Sequence, residues 1–79
     1  MSKHASYLLD VGLYLKERAL EARRERDRLP EGSTRRMFES GRVLAFNEVI
    51  SVLQQTAEGF DIPLAELRLD DIDPDRDLT

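Results

Sequence analysis

The sequence predicts an all-α protein: an antiparallel helical hairpin with a short third helix and an acidic tail, dimerising into a four-helix bundle. Three observations lead to this class. Residues 5–28 and 34–58 repeat apolar side chains at helical spacing. One proline–glycine break separates the two stretches. The second stretch is apolar on more sides than a single partner helix covers, and a helix apolar nearly all round is normally buried on most sides.

The first helix is expected over 5–28. Leu8, Val11, Gly12, Leu15, Ala19 and Ala22 form its core stripe. Beyond Lys16 the helix is strongly charged, with Arg23–Asp27 four apart and Glu21–Arg24 and Glu25–Arg28 three apart, pairs that each support an exposed helix by a few tenths of a kcal/mol. Leu9, Leu13 and Leu20 form a lesser stripe, roughly 120° round from the first. It reads either as a contact with a second neighbour or as scattered surface leucine.

Leu29-Pro30-Glu31-Gly32-Ser33 is the turn, with Ser33 or Thr34 capping the next helix. A connection this short makes the flanking helices antiparallel neighbours. Residues whose numbers sum to about 62 then lie level across the hairpin, Leu15 with Asn47 and Glu48, and Leu8 with Gln54.

The second helix is expected over 34–58. Met37, Gly41, Leu44, Ala45, Val49, Val52 and Thr56 form its core-facing stripe. Val43, Phe46, Ile50, Leu53 and Ala57 form a second apolar face, and Ser40, Asn47, Ser51 and Gln54 a narrow uncharged strip. The expected oligomer interface therefore joins Leu9, Leu13 and Leu20 to Val43, Phe46, Ile50 and Leu53. Gly59 is the expected left-handed C′ residue, with Phe60 folding back onto the last turn. Pro63 suits the first position of a short helix over 63–67. Residues 68–79 have no helical period and are expected as an extended tail pinned by Leu69, Ile72 and Leu78.

Composition bounds the rest. At 79 residues the chain makes one domain, burying only about 60% of its unfolded surface. It has no cysteine, which excludes disulfides, thiolate metal sites and a cysteine nucleophile. Tyr7–Leu15 is interrupted by Asp10, is too short to span a bilayer, and precedes no small-residue cleavage site. A soluble cytoplasmic protein without membrane contact is the expectation. The net charge of -4 conceals an asymmetry: residues 16–36 carry eight Lys/Arg against five Asp/Glu, and residues 58–79 carry eight acids against two arginines. Such polarity can steer partners or orient subunits.

Four constellations bear on chemistry. Asp71, Asp73, Asp75 and Asp77 alternate as in the opening of a calcium loop, but Arg76 occupies the sixth position, where glycine is required. Turn capping is the better reading. The basic tip gives candidate nucleic-acid contacts at Arg23, Arg24, Arg28, Arg35 and Arg36, with Arg26 beside them. Glu21, Glu25, Asp27 and Glu31 are interleaved, and no aromatic residue lies between Tyr14 and Phe38, so a solvated helix end is favoured and nucleic acid is an unfavoured partner. Glu48 is read as a buried carboxylate satisfied by Tyr14 or Arg18. Gly12 and Gly41 lie inside helices, where glycine costs up to about 1 kcal/mol relative to alanine, and close helix approach is a sufficient reason for both.

The segments Phe38-Glu-Ser-Gly-Arg, Asn47-Glu-Val-Ile-Ser, Gln54-Gln55 and Leu69-Asp-Asp-Ile-Asp-Pro resemble short uncharacterised bacterial proteins. This resemblance covers roughly the second half of the chain and implies a bacterial origin, with no activity, cofactor or site. The expected function is a non-enzymatic homo-oligomeric adaptor, pairing with itself or with an unidentified protein. The alternative is a small nucleic-acid-binding regulator using the arginine tip. No nucleophile–base pair, metal-ligand set or phosphate loop can be assembled, so neither catalysis, cofactor nor metal is expected.

Overall fold

A computed structural model describes residues 2–79. The chain is all-helical: α1 spans Lys3–Arg28, α2 spans Thr34–Gly59, a 3₁₀ turn covers Leu64–Leu67, and a one-turn α3 covers Pro74–Asp77. The molecule measures 45 × 21 × 16 Å.

Both long helices begin on a serine. The Ser2 hydroxyl accepts from the Ala5 amide at 3.0 Å, and the Ser33 hydroxyl accepts from the Arg36 amide at 3.2 Å. Each satisfies one of the amides that a helix start leaves without an intrahelical partner. The turn closes through the Ser33 amide donating to the Pro30 carbonyl, with Gly32 at φ 81°. A tight turn with positive φ at its third position favours glycine there. Arg36 crosses the hairpin and donates to the carbonyls of Arg26 and Leu29, capping the end of α1. The Arg36–Arg26 contact has the predicted register sum.

The end of α2 differs from expectation. Gly59 is its last helical residue, and the left-handed residue is Asp61, at φ 55°. The Ile62 amide donates to the Ala57 carbonyl and the Asp61 amide to the Glu58 carbonyl. This is the Schellman arrangement shifted two residues along, with Asp61 at C′. Ile62, rather than Phe60, turns back onto the helix; Phe60 is 74% exposed. Arg68, also left-handed at φ 56°, ends the 3₁₀ turn.

The segment after α2 is a third structural layer. It runs alongside α1 in the same direction: Leu67 lies over Gly12, Asp71 pairs with Lys16, Asp77 reaches Arg23, and the Thr79 oxygen accepts from Arg26. It runs antiparallel to α2, whose Gln54 holds Leu69 and Ile72 and whose Asn47 holds Pro74 and Leu78. The core consists of Ala19, Ala22, Val43, Ile50, Ala57, Leu67, Leu69, Ile72 and Leu78, so nearly half of it comes from this segment. Each such leucine or isoleucine contributes about 1.5–3 kcal/mol of burial, so the four together weigh on the order of 10 kcal/mol, comparable to the net stability of a whole domain.

Leu69, Ile72 and Leu78 pin the tail as expected. The tail is nevertheless not extended throughout. Asp73 caps α3 by accepting from the Asp75 amide, and Pro74 fills the first helical position. Two signals at the helix start sufficed for one turn where no apolar period existed.

Candidate interaction surface

Rotation of α2 about its own axis decides what the protein can present to others. The buried side of α2 carries Val43, Phe46, Ile50, Leu53 and Ala57, and these pack within the chain. Leu20 joins the same core, and Leu9 and Leu13 are half-buried. Of the residues expected to form an interface between subunits, Leu20, Val43, Phe46, Ile50 and Leu53 therefore pack into the chain's own core. The stripe expected to face the core is the exposed one. Met37 is 69%, Leu44 65%, Val52 56% and Val49 43% exposed, with Phe38 at 67% beside them. Gly41, Ala45 and Thr56 on the same stripe are also exposed.

The reason for the reversal lies in the uncharged strip. Asn47 and Gln54, seven residues apart, point at the returning tail. The Gln54 amide donates at 3.1 Å to the Leu69 carbonyl and at 2.9 Å to that of Ile72. The Asn47 amide donates at 2.8 Å to Pro74 and at 3.1 Å to Leu78. A tail with little regular structure brings carbonyls that must find donors once covered. Two amides on α2 supply them, which turns that side of the helix inward. No buried side-chain polar atom among the described residues lacks a partner.

Glu48 is consequently exposed, as are Tyr14 and Arg18, and the predicted buried trio does not form within the chain. The hairpin keeps the expected register at Arg36 and Arg26, while α2 is rotated so that Glu48 faces outward. The buried carboxylate is Glu39, 8% exposed, which accepts from Arg42 at 2.9 Å. The Arg42 guanidinium in turn lies 5.9 Å from the centre of the Phe46 ring, within the range of a cation–π contact.

The basic tip is largely engaged. Arg23 donates to the Asp77 carbonyl oxygen at 3.1 Å, Arg28 pairs with Glu25 at 2.6 Å, and Arg36 caps α1. Arg26 holds both Asp27 and Thr79. Among the described residues, Arg24 and Arg35 form no ion pair and are exposed. The hydrogen-bonded Arg28 holds the Glu25 carboxyl below its ordinary range. Lys16 does the same for Asp71, and Arg76 for Asp77. The alternating aspartates thus serve the tail: Asp73 caps, Asp71 pairs with Lys16, and Asp77 accepts from Arg76 and from the Asp73 amide. Among the described residues, no three of His, Asp or Glu gather into a metal-ligating group, and no helix is long and apolar enough to cross a membrane.

The exposed stripe of α2 is bordered on one side by α1. Leu8 of α1 shares a cavity with Leu53 and Thr56 of α2, which places α1 along that edge of the helix. Tyr7 and Tyr14 share the Glu25 side of α1 by helical spacing and are 67% and 56% exposed. Leu8, with Thr56 and Phe60, lines a small cavity of about 120 Å³ at the open end of the hairpin. The tail seals the opposite side, so the hairpin keeps one apolar side uncovered. Comparison with protein-family models, curated proteins and solved structures finds no match.

Proposed function

We propose that this chain is a non-enzymatic, self-associating helical interaction protein, a small adaptor that works as a homo-oligomer. The observation that carries the reading is the apolar stripe Met37, Phe38, Leu44, Val49 and Val52, which stays exposed after the fold has used every other apolar face of α2. Scattered surface leucines are ordinary, but a contiguous apolar patch on a small protein marks an interaction site. The aromatic residues alone are large: at about 150–250 Å² each, Phe38, Phe60, Tyr7 and Tyr14 leave on the order of 500 Å² in solvent.

The engaged arginines weigh against the nucleic-acid alternative, since phosphate binding requires uncompensated cations. Sedimentation over a micromolar concentration series, with and without duplex DNA or structured RNA at physiological salt, tests the proposal. Concentration-dependent self-association unaffected by nucleic acid is expected. A monomer that binds nucleic acid at micromolar affinity, with binding lost in Arg24→Glu/Arg35→Glu, would overturn it.

A further inference from the structure

Three cavities open at the end of the hairpin away from its turn, and Ile62 lines all of them. The one between the start of α1 and the 3₁₀ turn has a volume of about 200 Å³, with Ala5, Leu8 and Leu9 on one wall and Ile62 and Glu66 on the other. Through Leu8 and Ile62 it adjoins the smaller cavity that reaches Phe60. An apolar cavity of about 150 Å³ is enough to take a benzene ring, so this one admits a leucine or phenylalanine side chain. Its shape follows from the local sequence. The left-handed turn at Asp61 brings Ile62 back toward Leu8, Gly12 lets the 3₁₀ turn lie against α1, and Ala5 is too small to fill the space left between them.

The rim of this cleft is acidic. Glu66 borders the apolar cavity, and Glu58 and Asp61 border the third one. All three carboxylates are exposed, and among the described residues none of them makes an ion pair. Further along the tail the pattern is different, since Asp71 is matched to Lys16 and Asp77 to Arg76. The nearest cations in sequence, Lys3 and Arg68, are exposed and pair with none of the three.

We propose that this cleft docks a basic, apolar segment of a partner protein. One leucine- or phenylalanine-sized side chain enters beside Leu8, Leu9 and Ile62, and lysine or arginine residues next to it meet Glu58, Asp61 and Glu66. Charge complementarity selects this occupant. A neutral apolar segment would strip water from carboxylates and offer them nothing in return, and an acidic one would be repelled. A cationic segment supplies the missing charges and is drawn to the cleft from a distance. The cleft is built from residues of a single chain, so the inference does not rest on self-association.

A methyl NMR titration with a short peptide of alternating lysine and leucine tests the proposal, beside two control peptides in which serine replaces leucine or glutamate replaces lysine. Saturable binding of the lysine–leucine peptide alone is expected, weakened by salt, with the methyl signals of Leu8, Leu9 and Ile62 shifting most. Two variants locate the site: Ala5→Leu fills the cavity, and Glu58→Lys/Glu66→Lys reverses the rim. These side chains lie outside the core, so helicity is kept, and each variant weakens binding about tenfold or more. Equal binding of either control peptide, shifts centred on Leu44, Val49 and Val52, or no saturable binding below about 1 mM peptide would overturn the inference. So would cleft signals that move with the concentration of the chain itself and not with peptide, since the exposed Arg35, Met37 and Phe38 of a second copy would then be the occupant.

Discussion

The backbone of Gly12 lies directly beneath the carbonyl of Leu67, so close that a methyl group at that position would overlap the oxygen and lie 2.7 Å from its carbon. The obstacle is backbone, which cannot rotate aside as a side chain would. Gly12→Ala must therefore lift the 3₁₀ turn off α1, and the tail with it. A loss of about 3 kcal/mol is expected in denaturant melts, at the upper end of ordinary overpacking.

Gly59→Ala distinguishes the observed end of α2 from the one its sequence suggests. A left-handed C′ glycine replaced by alanine would lose about 1 kcal/mol. Gly59 is instead helical, and a Cβ there meets nothing within 4 Å. Gly59→Ala is expected to leave stability unchanged or raise it by up to about 1 kcal/mol, read from the melting midpoint.

Asn47→Leu and Gln54→Leu test whether the amides hold the tail. Each removes a donor shared by two tail carbonyls, and each should cost about 1–3 kcal/mol. Amide hydrogen exchange should accelerate in residues 67–79 before the rest of the chain. Unchanged exchange there would mean that the tail is held by apolar burial alone.

Glu39, not Glu48, should show the sensitivity expected of a buried, paired carboxylate. Glu39→Ala strips the half-buried Arg42 of its acceptor and is expected to cost about 1–3 kcal/mol. Glu48→Ala removes an exposed carboxylate and should stay within about 0.5 kcal/mol of the parent.

Acid should loosen the tail first. Asp71 and Asp77 have carboxyls held below their ordinary range, by hydrogen bonds from Lys16 and from Arg76 respectively. Because their folded-state pKa values lie below the unfolded ones, the stabilisation is fully present above the unfolded value near pH 4. It is lost as the pH falls further through the folded values. Tail amide signals followed by NMR should shift and broaden below about pH 4, and Asp77→Asn should weaken that dependence. Tail signals unchanged down to pH 2 would show that these pairs do not hold the tail.

The hairpin, its Ser33 cap, its register and the apolar anchors of the tail were legible because each is a local signal. Ser33 before Thr34, Pro30 and Gly32 in the turn, and Leu69, Ile72 and Leu78 in an otherwise acidic segment are readable within a few residues. The rotation of α2 was not, because two of its faces are apolar and nothing within the helix ranks them. What settles the choice is a contact far along the chain: the carbonyls of residues 69–78 need Asn47 and Gln54, so the face with interleaved amides goes inside. Two amides seven apart, flanked by Val43, Ile50 and Ala57, were the available hint, and they read equally well as a polar exterior strip. Glu48 was misplaced by the same reversal. Asp73-Pro74, a cap followed by a first-turn proline, marked α3, which periodicity could not detect over four residues.

Self-association through the exposed stripe is tested most directly by light-scattering mass, with circular dichroism, on the parent, Val52→Asp and Phe46→Asp. The parent should have twice the 9.1 kDa chain mass at micromolar concentration. Val52→Asp should be a folded monomer, because Val52 is exposed and outside the core. Phe46→Asp should lose helicity, because Phe46 packs against the core within the chain. A parent of 9.1 kDa at every concentration, or a Val52→Asp variant that remains dimeric, would contradict the account.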